Sequence, residues 1–310
     1  MRSEFEFIDQ MRSRYSLDRI GDDCAVLSKD AETDQVITAD LLVEDVDFRL
    51  EWTKPEFLGH KTLAVSLSDI AAMGADPKFA LLSIGVAEKL WKTDFLDRFY
   101  EGWHALASEF GVELVGGDVS KAEKLVFDSI VIGEAPRGRA ILRSGAKPGD
   151  GVYVAGTLGG AAAGLQLMLC GRENCGDLVE KQLRPTPQIV LAKQLQSLRL
   201  PTAMIDISDG LSSDLHHLSQ SSGVGAKIDA KLLPINPDLA ACFDSETTLE
   251  MALHGGEDLQ LLFTADPVAM DAADLSEVTR IGEITDQPGV VEISDGLTVT
   301  RLEPRGFRHF

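Results

Sequence analysis

Phe95, Phe99, Trp103, Leu106 and Phe110 recur at intervals of four or three, which places them on one face of a helix. Thr93 stands where an N-cap belongs and Gly111 where the C-terminal cap does, so the stripe predicts a buried packing face, not a ligand box. An earlier apolar segment predicts a helix from Pro55 to about Met73, ended by Gly74 and Pro77. Cys24 to Leu27 and Gln35 to Thr38 read as short strands separated by a polar turn through Lys29-Asp30. Val112 to Val115 is a strand ending at Gly116-Gly117-Asp118, and Leu125 to Ile132 is another.

Between Gly133 and Asp150 the chain turns to Gly, Pro, Arg and Lys, with one short apolar piece inside. A domain junction is expected here, giving an amino-terminal domain over 1–140 and a carboxyl-terminal domain over 141–310. Beyond it come a strand at Val152 to Ala155, a glycine turn at Gly156-Thr-Leu-Gly-Gly and a small-residue helix from Ala161 to Cys170. Thr186-Pro187 predicts the start of a helix reaching about Leu198; a strand from Met204 to Ile207 and a helix from Leu211 to Gln220 follow. The remainder reads as strand-rich.

On this frame sit six stretches that deliver a carboxylate straight after an apolar or glycine-rich run: Gly21-Asp22-Asp23, Thr38-Ala39-Asp40, Ser68-Asp69, Gly116-Gly117-Asp118, Asp206-Ile207-Ser208-Asp209 and Gly255-Gly256-Glu257-Asp258. Buried charge is costly unless something cationic meets it. Two carboxylates about 4 Å apart repel by roughly 4 kcal/mol at an effective dielectric near 20. Several converging in space point to divalent cations, and oxygen-only donors suit magnesium over zinc. Asp69 lies inside an apolar helix among Val65, Leu67, Ile70 and Ala71, and so needs a partner. Alternation points Asp206 and Ser208 to one side of an extended segment, and the helix start that follows favours anions.

A formal net charge of -21, from 29 basic and 50 acidic residues with no basic stripe, argues against nucleic-acid binding. An anionic substrate must then arrive with metal ions or meet a few placed cations such as Arg143. Cys24, Cys170, Cys175 and Cys242 lack zinc-site spacing and read as incidental thiols of a reduced, cytoplasmic protein. The amino terminus lacks the apolar core of a signal peptide, and no apolar run reaches membrane-spanning length. Gly156-Thr-Leu-Gly-Gly matches neither the dinucleotide nor the P-loop fingerprint, which leaves close strand-to-helix packing as its purpose. His216 and His217 are adjacent on a helix and cannot form a ligand pair; His254 reads as structural.

Taken together, these blocks resemble the thiamine-monophosphate kinase family, within the aminoimidazole ribonucleotide synthetase superfamily. The resemblance runs in order through Ser3-Glu-Phe-Glu-Phe-Ile, Gly21-Asp-Asp-Cys-Ala, Asp40-Leu-Leu-Val-Glu, Lys61-Thr-Leu-Ala-Val-Ser-Leu-Ser-Asp-Ile-Ala-Ala-Met-Gly-Ala and Gly116-Gly-Asp. It continues through Arg143-Ser-Gly-Ala-Lys-Pro-Gly-Asp, Asp206-Ile-Ser-Asp-Gly-Leu, Gly255-Gly-Glu-Asp and Gly306-Phe-Arg-His-Phe. It implies a two-domain synthetase-like fold of the α+β / α/β class. An amino-terminal sheet domain would pair in a homodimer, followed by a carboxyl-terminal α/β domain. The implied reaction is ATP-dependent phosphorylation of thiamine monophosphate to thiamine diphosphate. By the same resemblance Asp23, Thr38, Asp40, Asp69, Asp118, Asp206 and Asp209, with Ala39 through its backbone, would hold several magnesium ions. Gly117, Asp118, Arg143 and Ser208 would contact ATP. Asp47, Glu257 and Phe307 would contact thiamine monophosphate, Asp47 standing where the family usually carries histidine. Two other readings compete: another ATP-using enzyme of the superfamily, of the purine cyclo-ligase or selenophosphate synthetase type, and a non-catalytic binder of divalent cations. No general base is evident, and transfer between two phosphates needs none.

Overall fold

The computed structural model of the chain describes residues 4–17, 19–172, 175–273 and 275–307. Ser3 and Arg308-His309-Phe310 of the resemblance blocks, Met1 and Arg2 of the amino terminus, and Glu173-Asn174 between two cysteines lie outside them. The first half runs α1 (Glu4–Tyr15), β1 (Ala25–Ser28), β2 (Thr33–Val43), α2 (Pro55–Ala72), β3 (Asp76–Val86), α3 (Glu88–Trp91), α4 (Phe95–Phe110), β4 (Glu113–Lys121) and β5 (Val126–Pro136). The second begins β6 (Gly151–Ala155), α5 (Gly160–Leu169), α6 (Leu178–Leu183), α7 (Ile189–Leu198), β7 (Pro201–Ile207), α8 (Leu211–Ser222) and β8 (Gly225–Asp229). It ends with α9 (Leu239–Cys242), α10 (Ser245–His254), β9 (Gln260–Ala265), α11 (Pro267–Ala273), β10 (Val278–Thr285), β11 (Val291–Ser294) and β12 (Val299–Arg301).

Two mixed sheets result: a five-stranded one in the order β1-β2-β5-β3-β4 and a seven-stranded one in the order β12-β11-β8-β10-β6-β9-β7. This is the expected two-sheet α/β architecture. We propose the domain junction at 140/141, in the connection between β5 and β6. The core does not respect that junction. One apolar cluster joins Leu58 and Leu67 of α2 and Phe127 of β5 to Tyr153 of β6, Met204 of β7 and Phe263 of β9.

Helix α2 is the shared element. Pro55 opens it at a position where the missing amide is harmless, and Gly74, at φ 62°, turns the chain out after it. Leu58, Leu63, Leu67 and Ile70 are fully buried on several sides, as befits a helix apolar nearly all round. Its crossing with α4 is set by glycine. A Cβ on Gly59 would sit 1.9 Å from the Phe99 carbonyl oxygen, and one on Gly102 would sit 1.8 Å from that of Glu56. Backbone therefore rests on backbone, and the α4 stripe seats Phe99 and Trp103 in the core.

Some expectations need correction. Strand β3 was hidden because Gly74 and Pro77 read as punctuation; Pro77 is tolerated where the pairing with β5 is irregular. Strand β4 continues through Gly116-Gly117-Asp118 to Lys121. Helix α4 starts at Phe95 with Asp94 at the cap position, although Thr93 Oγ1 does accept from the Phe95 amide at 3.2 Å. Helix α7 starts at Ile189, because the proline-bearing segment before it is non-helical and pinned by His60 Nε2 to the Pro185 carbonyl at 2.8 Å. The strand-rich carboxyl end also carries α9, α10 and α11. Cys175 and Cys242 form a disulfide, so they are not incidental thiols. Packing of Leu239 from α9 on Ala163, Leu167 and Leu178 brings together segments 67 residues apart, which spacing could not reveal.

The α2–α4 crossing yields a test. Gly102→Ala should destabilise the protein by about 1–3 kcal/mol through overpacking, read as a lower urea midpoint with unchanged slope. Unaltered stability would mean the two helices have slack.

Candidate active site

The carboxylates converge where α2 meets the edges of both sheets. Oxygens of Asp23, before β1, Asp69, on α2, and Asp206, on β7, all lie within 4.8 Å of one another. Asp40 on β2 adds its charge beside Asp69. Its Oδ2 and that of Asp23 are buried without a hydrogen-bond partner among the described residues. A layer of hydroxyls supports the group. Thr38 Oγ1 donates to Asp69 Oδ2, and Ser68 Oγ donates to Asp206 Oδ2 at 2.6 Å. Ser66 Oγ bonds Ser129 Oγ at 3.0 Å beneath Asp40.

Among the described residues one cation is bonded to them. Arg143 reaches Asp23 Oδ1 with Nη2 at 2.6 Å and Nε at 3.2 Å, while its own amide donates to Asp22 Oδ1 at 2.8 Å. That is too little charge. Burial, helped by Asp23, pushes Asp206 up to about 7, and burial pushes Asp40 up to about 6. Burial and then Asp40, Asp206 and Asp23 hold Asp69 well above the usual carboxylate range. Asp23 is raised too, because burial outweighs its bond to Arg143. Burial alone would lower Arg143, yet the Asp23 charge, its hydrogen bond to Asp23 and the charges of Asp206 and Asp69 together outweigh burial and raise the guanidinium. A cluster that would hold protons near neutrality is one that divalent cations can fill instead. The donor set is all oxygen, which fits magnesium.

A cavity of about 690 Å³ opens beside the cluster, with Asp40, Asp69, Asp206 and Ser208 in its wall. Val65 and Lys61 continue that wall along α2 towards Glu257. Glu257 takes a left-handed φ of 67°, and its amide donates to the Ser208 carbonyl at 2.8 Å. Phe307 also lines the cavity and is 51% exposed. Its segment is tied to α8: Gly306 N donates to Ser213 Oγ at 3.0 Å, and Phe307 N donates to the Asp209 carbonyl at 3.1 Å. Arg305 donates to His254 Nε2 at 2.7 Å, so His254 braces this segment.

Other expected site residues lie differently. Asp47 lines the cavity, but its Oδ2 accepts from the Val43 amide at 2.7 Å and shapes the turn after β2. Ala39 is exposed, on the opposite face of β2 from Thr38 and Asp40. Asp209 is half-buried in the turn before α8, whose first amide, Gly210 N, is taken by Asp214 at 2.9 Å. Asp118 and Gly117 are not brought to the cluster within this chain. Asp118 pairs with Ser83, Ser83 with Asp128, and Asp128 with Leu41. Those strand spacings put Asp118 roughly 14 Å from β2. Leu41 also points to the sheet face opposite Asp40.

Sequence reasoning missed Lys61, Gln182 and Asp214, and it named Asp258 only as part of a carboxylate stretch without a role. Asp258 accepts from the amides of Gly159 and Ala161 at 2.6 and 3.0 Å, closing the start of α5, and burial pushes it up to about 6. The signal for Lys61 was present: a single lysine two turns before Asp69 in an otherwise apolar helix.

The chain matches the family described as AIR synthase related protein, N-terminal domain, over residues 21–135, and its C-terminal domain counterpart over residues 147–294. It is 38% identical to the thiamine-monophosphate kinase of Bacillus subtilis, covering 94% of this chain and 93% of that protein. Identity to the Escherichia coli thiamine-monophosphate kinase is also 38%, covering 94% and 91%. Among solved structures, "AaThiL complexed with AMPPCP and TMP" superposes with a TM-score of 0.90 at 36% identity, covering 99% of this chain and 97% of that one.

The raised carboxyls fix a sign. The folded state holds protons on Asp206 between the ordinary value of 3.8 and about 7 that the unfolded chain releases. Their stabilisation is complete at the acid end and disappears as pH rises through that window. In chelator, Asp206→Asn should therefore be neutral or destabilising at pH 4 and stabilising by on the order of 1 kcal/mol at pH 8, read by thermal melts. Magnesium should raise the wild-type midpoint at pH 8 and not that of the variant. A variant less stable than wild type at both pH values would refute the clustered-charge assignment.

Proposed function

Because the chain belongs to the thiamine-monophosphate kinase family, we propose that it transfers the terminal phosphoryl group of ATP to thiamine monophosphate, yielding thiamine diphosphate and ADP. The observation that carries this reading is the convergence of Asp23, Asp69 and Asp206 beside a cavity, walled in part by Asp69 and Asp206, that is large enough for a second phosphorylated molecule. A metal-only binding protein has no use for that cavity, and full-length identity to the kinases sets aside the other superfamily chemistries.

Asp23, Thr38, Asp40, Asp69, Asp206 and Asp209, with the backbone of Ala39, would hold several magnesium ions. When bound, these supply the positive charge that lets two polyanions approach and that stabilises charge on the transferring phosphoryl group. The protein's own groups do the rest. The acceptor is already a phosphate oxygen, so the bond from that oxygen to the γ-phosphorus forms as the β–γ bridging bond breaks, and no proton need be abstracted. Arg143 and Ser208 contact ATP. Glu257 and Phe307 hold the far end of thiamine monophosphate, and Asp47 shapes the turn beside it.

Asp118 and Gly117 join this scheme from a second copy. The outer face of the five-stranded sheet carries Ile37, Leu41, Ile130 and Leu81, with Leu41 60% exposed, an apolar surface suited to pairing with its own kind. A homodimer formed through that face would bring one protomer's Asp118 to its partner's carboxylates. No helix among the described residues is long and apolar enough to cross a membrane, and we place the enzyme's work in the cytoplasm, where ATP is available.

Purified protein given ATP, magnesium and thiamine monophosphate should form thiamine diphosphate, and Asp40→Asn should reduce turnover by at least a hundredfold. Near-normal turnover by that variant at low magnesium would reject the metal assignment. Asp118→Asn and Asp206→Asn should each be inactive alone, yet regain up to half of wild-type activity when co-expressed as mixed dimers. Continued inactivity of the mixture would place Asp118 in the site of its own chain.

A further inference from the structure

We propose that Lys61 is a positioning residue that sets acceptor specificity, by fixing the Glu257 carboxylate as a hydrogen-bond acceptor at the end of the cavity remote from Asp69. The inference rests on the kinase reading and adds to it a residue with no role so far. Lys61, Val65 and Asp69 occupy positions i, i+4 and i+8 of α2, and all three line the cavity. The helix therefore separates the Asp69 level from the Lys61 level by roughly 12 Å. One end of that stripe holds the transfer chemistry, the middle is apolar, and the other end is an ion pair.

That ion pair is built with care. The Lys61 side chain is 3% exposed, and its Nζ lies 2.8 Å from Glu257 Oε1. The same ammonium donates to the Gln182 carbonyl at 3.2 Å, and Gln182 Nε2 donates to Glu257 Oε2. Both carboxylate oxygens are thereby held from the protein side, by residues on α2 and α6. The backbone is fixed as well: Glu257 N and Leu259 N donate to the Ser208 and Ile207 carbonyls at 2.8 and 2.9 Å. Left-handed backbone at Glu257 and Leu259, with φ values of 67° and 49°, carries strain that these contacts maintain. A glutamate on a surface has freely turning side-chain torsions; this one presents its remaining lone pairs in a set direction, with 35% of the side chain open.

A carboxylate held this way accepts and does not donate. An acceptor molecule presenting an exocyclic amine at the far end from its phosphate satisfies it, as the aminopyrimidine of thiamine monophosphate does. An analogue carrying a carbonyl oxygen there would set lone pairs against lone pairs, and rejection from polar mismatch is steep in such sites. Without Lys61 the carboxylate is free to turn away, and both affinity and discrimination fall together.

The test compares wild type, Lys61→Met, Lys61→Arg and Gln182→Met with thiamine monophosphate and its 4-oxo analogue. Lys61→Met should raise KM for thiamine monophosphate at least tenfold and cut the preference for amine over oxo about tenfold. KM for ATP should stay within twofold, and kcat at saturation should fall less than KM rises. Lys61→Arg should recover part of both losses. Gln182→Met, which leaves the buried charge in place, should weaken the amine preference more modestly and keeps the question answerable if Lys61→Met does not fold. An unchanged preference in Lys61→Met or, should that variant not fold, in Gln182→Met overturns the assignment, as does an equal rise in KM for ATP and for the acceptor. Wild-type protein that forms no thiamine diphosphate fails the kinase reading instead, a distinct result.

Discussion

Mutual repulsion among buried carboxylates is the constraint around which this molecule is arranged. Asp23, Asp40, Asp69 and Asp206 come from a loop, two elements of the first half and one strand of the second, and they meet with Arg143 as the cation bonded into the group. No fold gathers such charges for stability. Each of them would hold its proton more tightly than a free carboxyl, which is the physical signature of a site waiting for cations. The hydroxyls of Thr38, Ser66, Ser68 and Ser129 give the oxygens fixed directions without adding charge. The carboxylate cluster is thus pre-shaped by neutral donors.

The rigidity behind that shape comes from α2. Its crossing with α4 is close enough to exclude a methyl group at Gly59 and Gly102, so the helix has little room to slide. Its remaining faces are packed on both sheets through one apolar cluster. Asp69 at one level and Lys61 at another are therefore held in a constant relation, and each reaches across to the second half: Ser68 to Asp206, Lys61 to Glu257 and Gln182. Had the two halves formed separate cores, the spacing across the site would change with every relative motion of the domains.

The sequence disclosed most where period or chemistry was strong. The α4 stripe, the long apolar α2 and the Asp206 strand-turn-helix are all close to their expected places. Local punctuation misled at Pro77, which an irregularity in a sheet tolerates, and at Thr186-Pro187, where a non-helical segment docks on His60 before the helix begins. Long-range facts were out of reach of pattern alone. The Cys175–Cys242 bond depends on how α9 docks, and the pairing of Glu257 with Lys61 depends on how α2 meets α6. Asp118 is the instructive case. Its sequence setting resembles that of the other aspartates, yet strand order places it on the far edge and outer face of its sheet. Sequence can nominate such a residue but does not say on which edge or face of a sheet it will stand.

Charge balance gives the last step. A chain with a formal net charge of -21 must bring two phosphate-bearing molecules together. The cations placed for the task are few, and the structure binds them to carboxylates of its own: Arg143 to Asp23, Lys61 to Glu257, Arg305 to Glu250. Arg49, at the cavity wall, lies over the Trp52 ring with Glu51 3.8 Å away. In the reading proposed above, most of the attraction for phosphate would come from ions that bind with it, which would couple metal occupancy to substrate occupancy without any moving part. The same arrangement suppresses unwanted phosphate binding in the empty state, because the walls then present net negative charge and repel anions. Selectivity for the organic part of the acceptor is left, in the reading proposed above, to Glu257 and Phe307, both of which line the cavity.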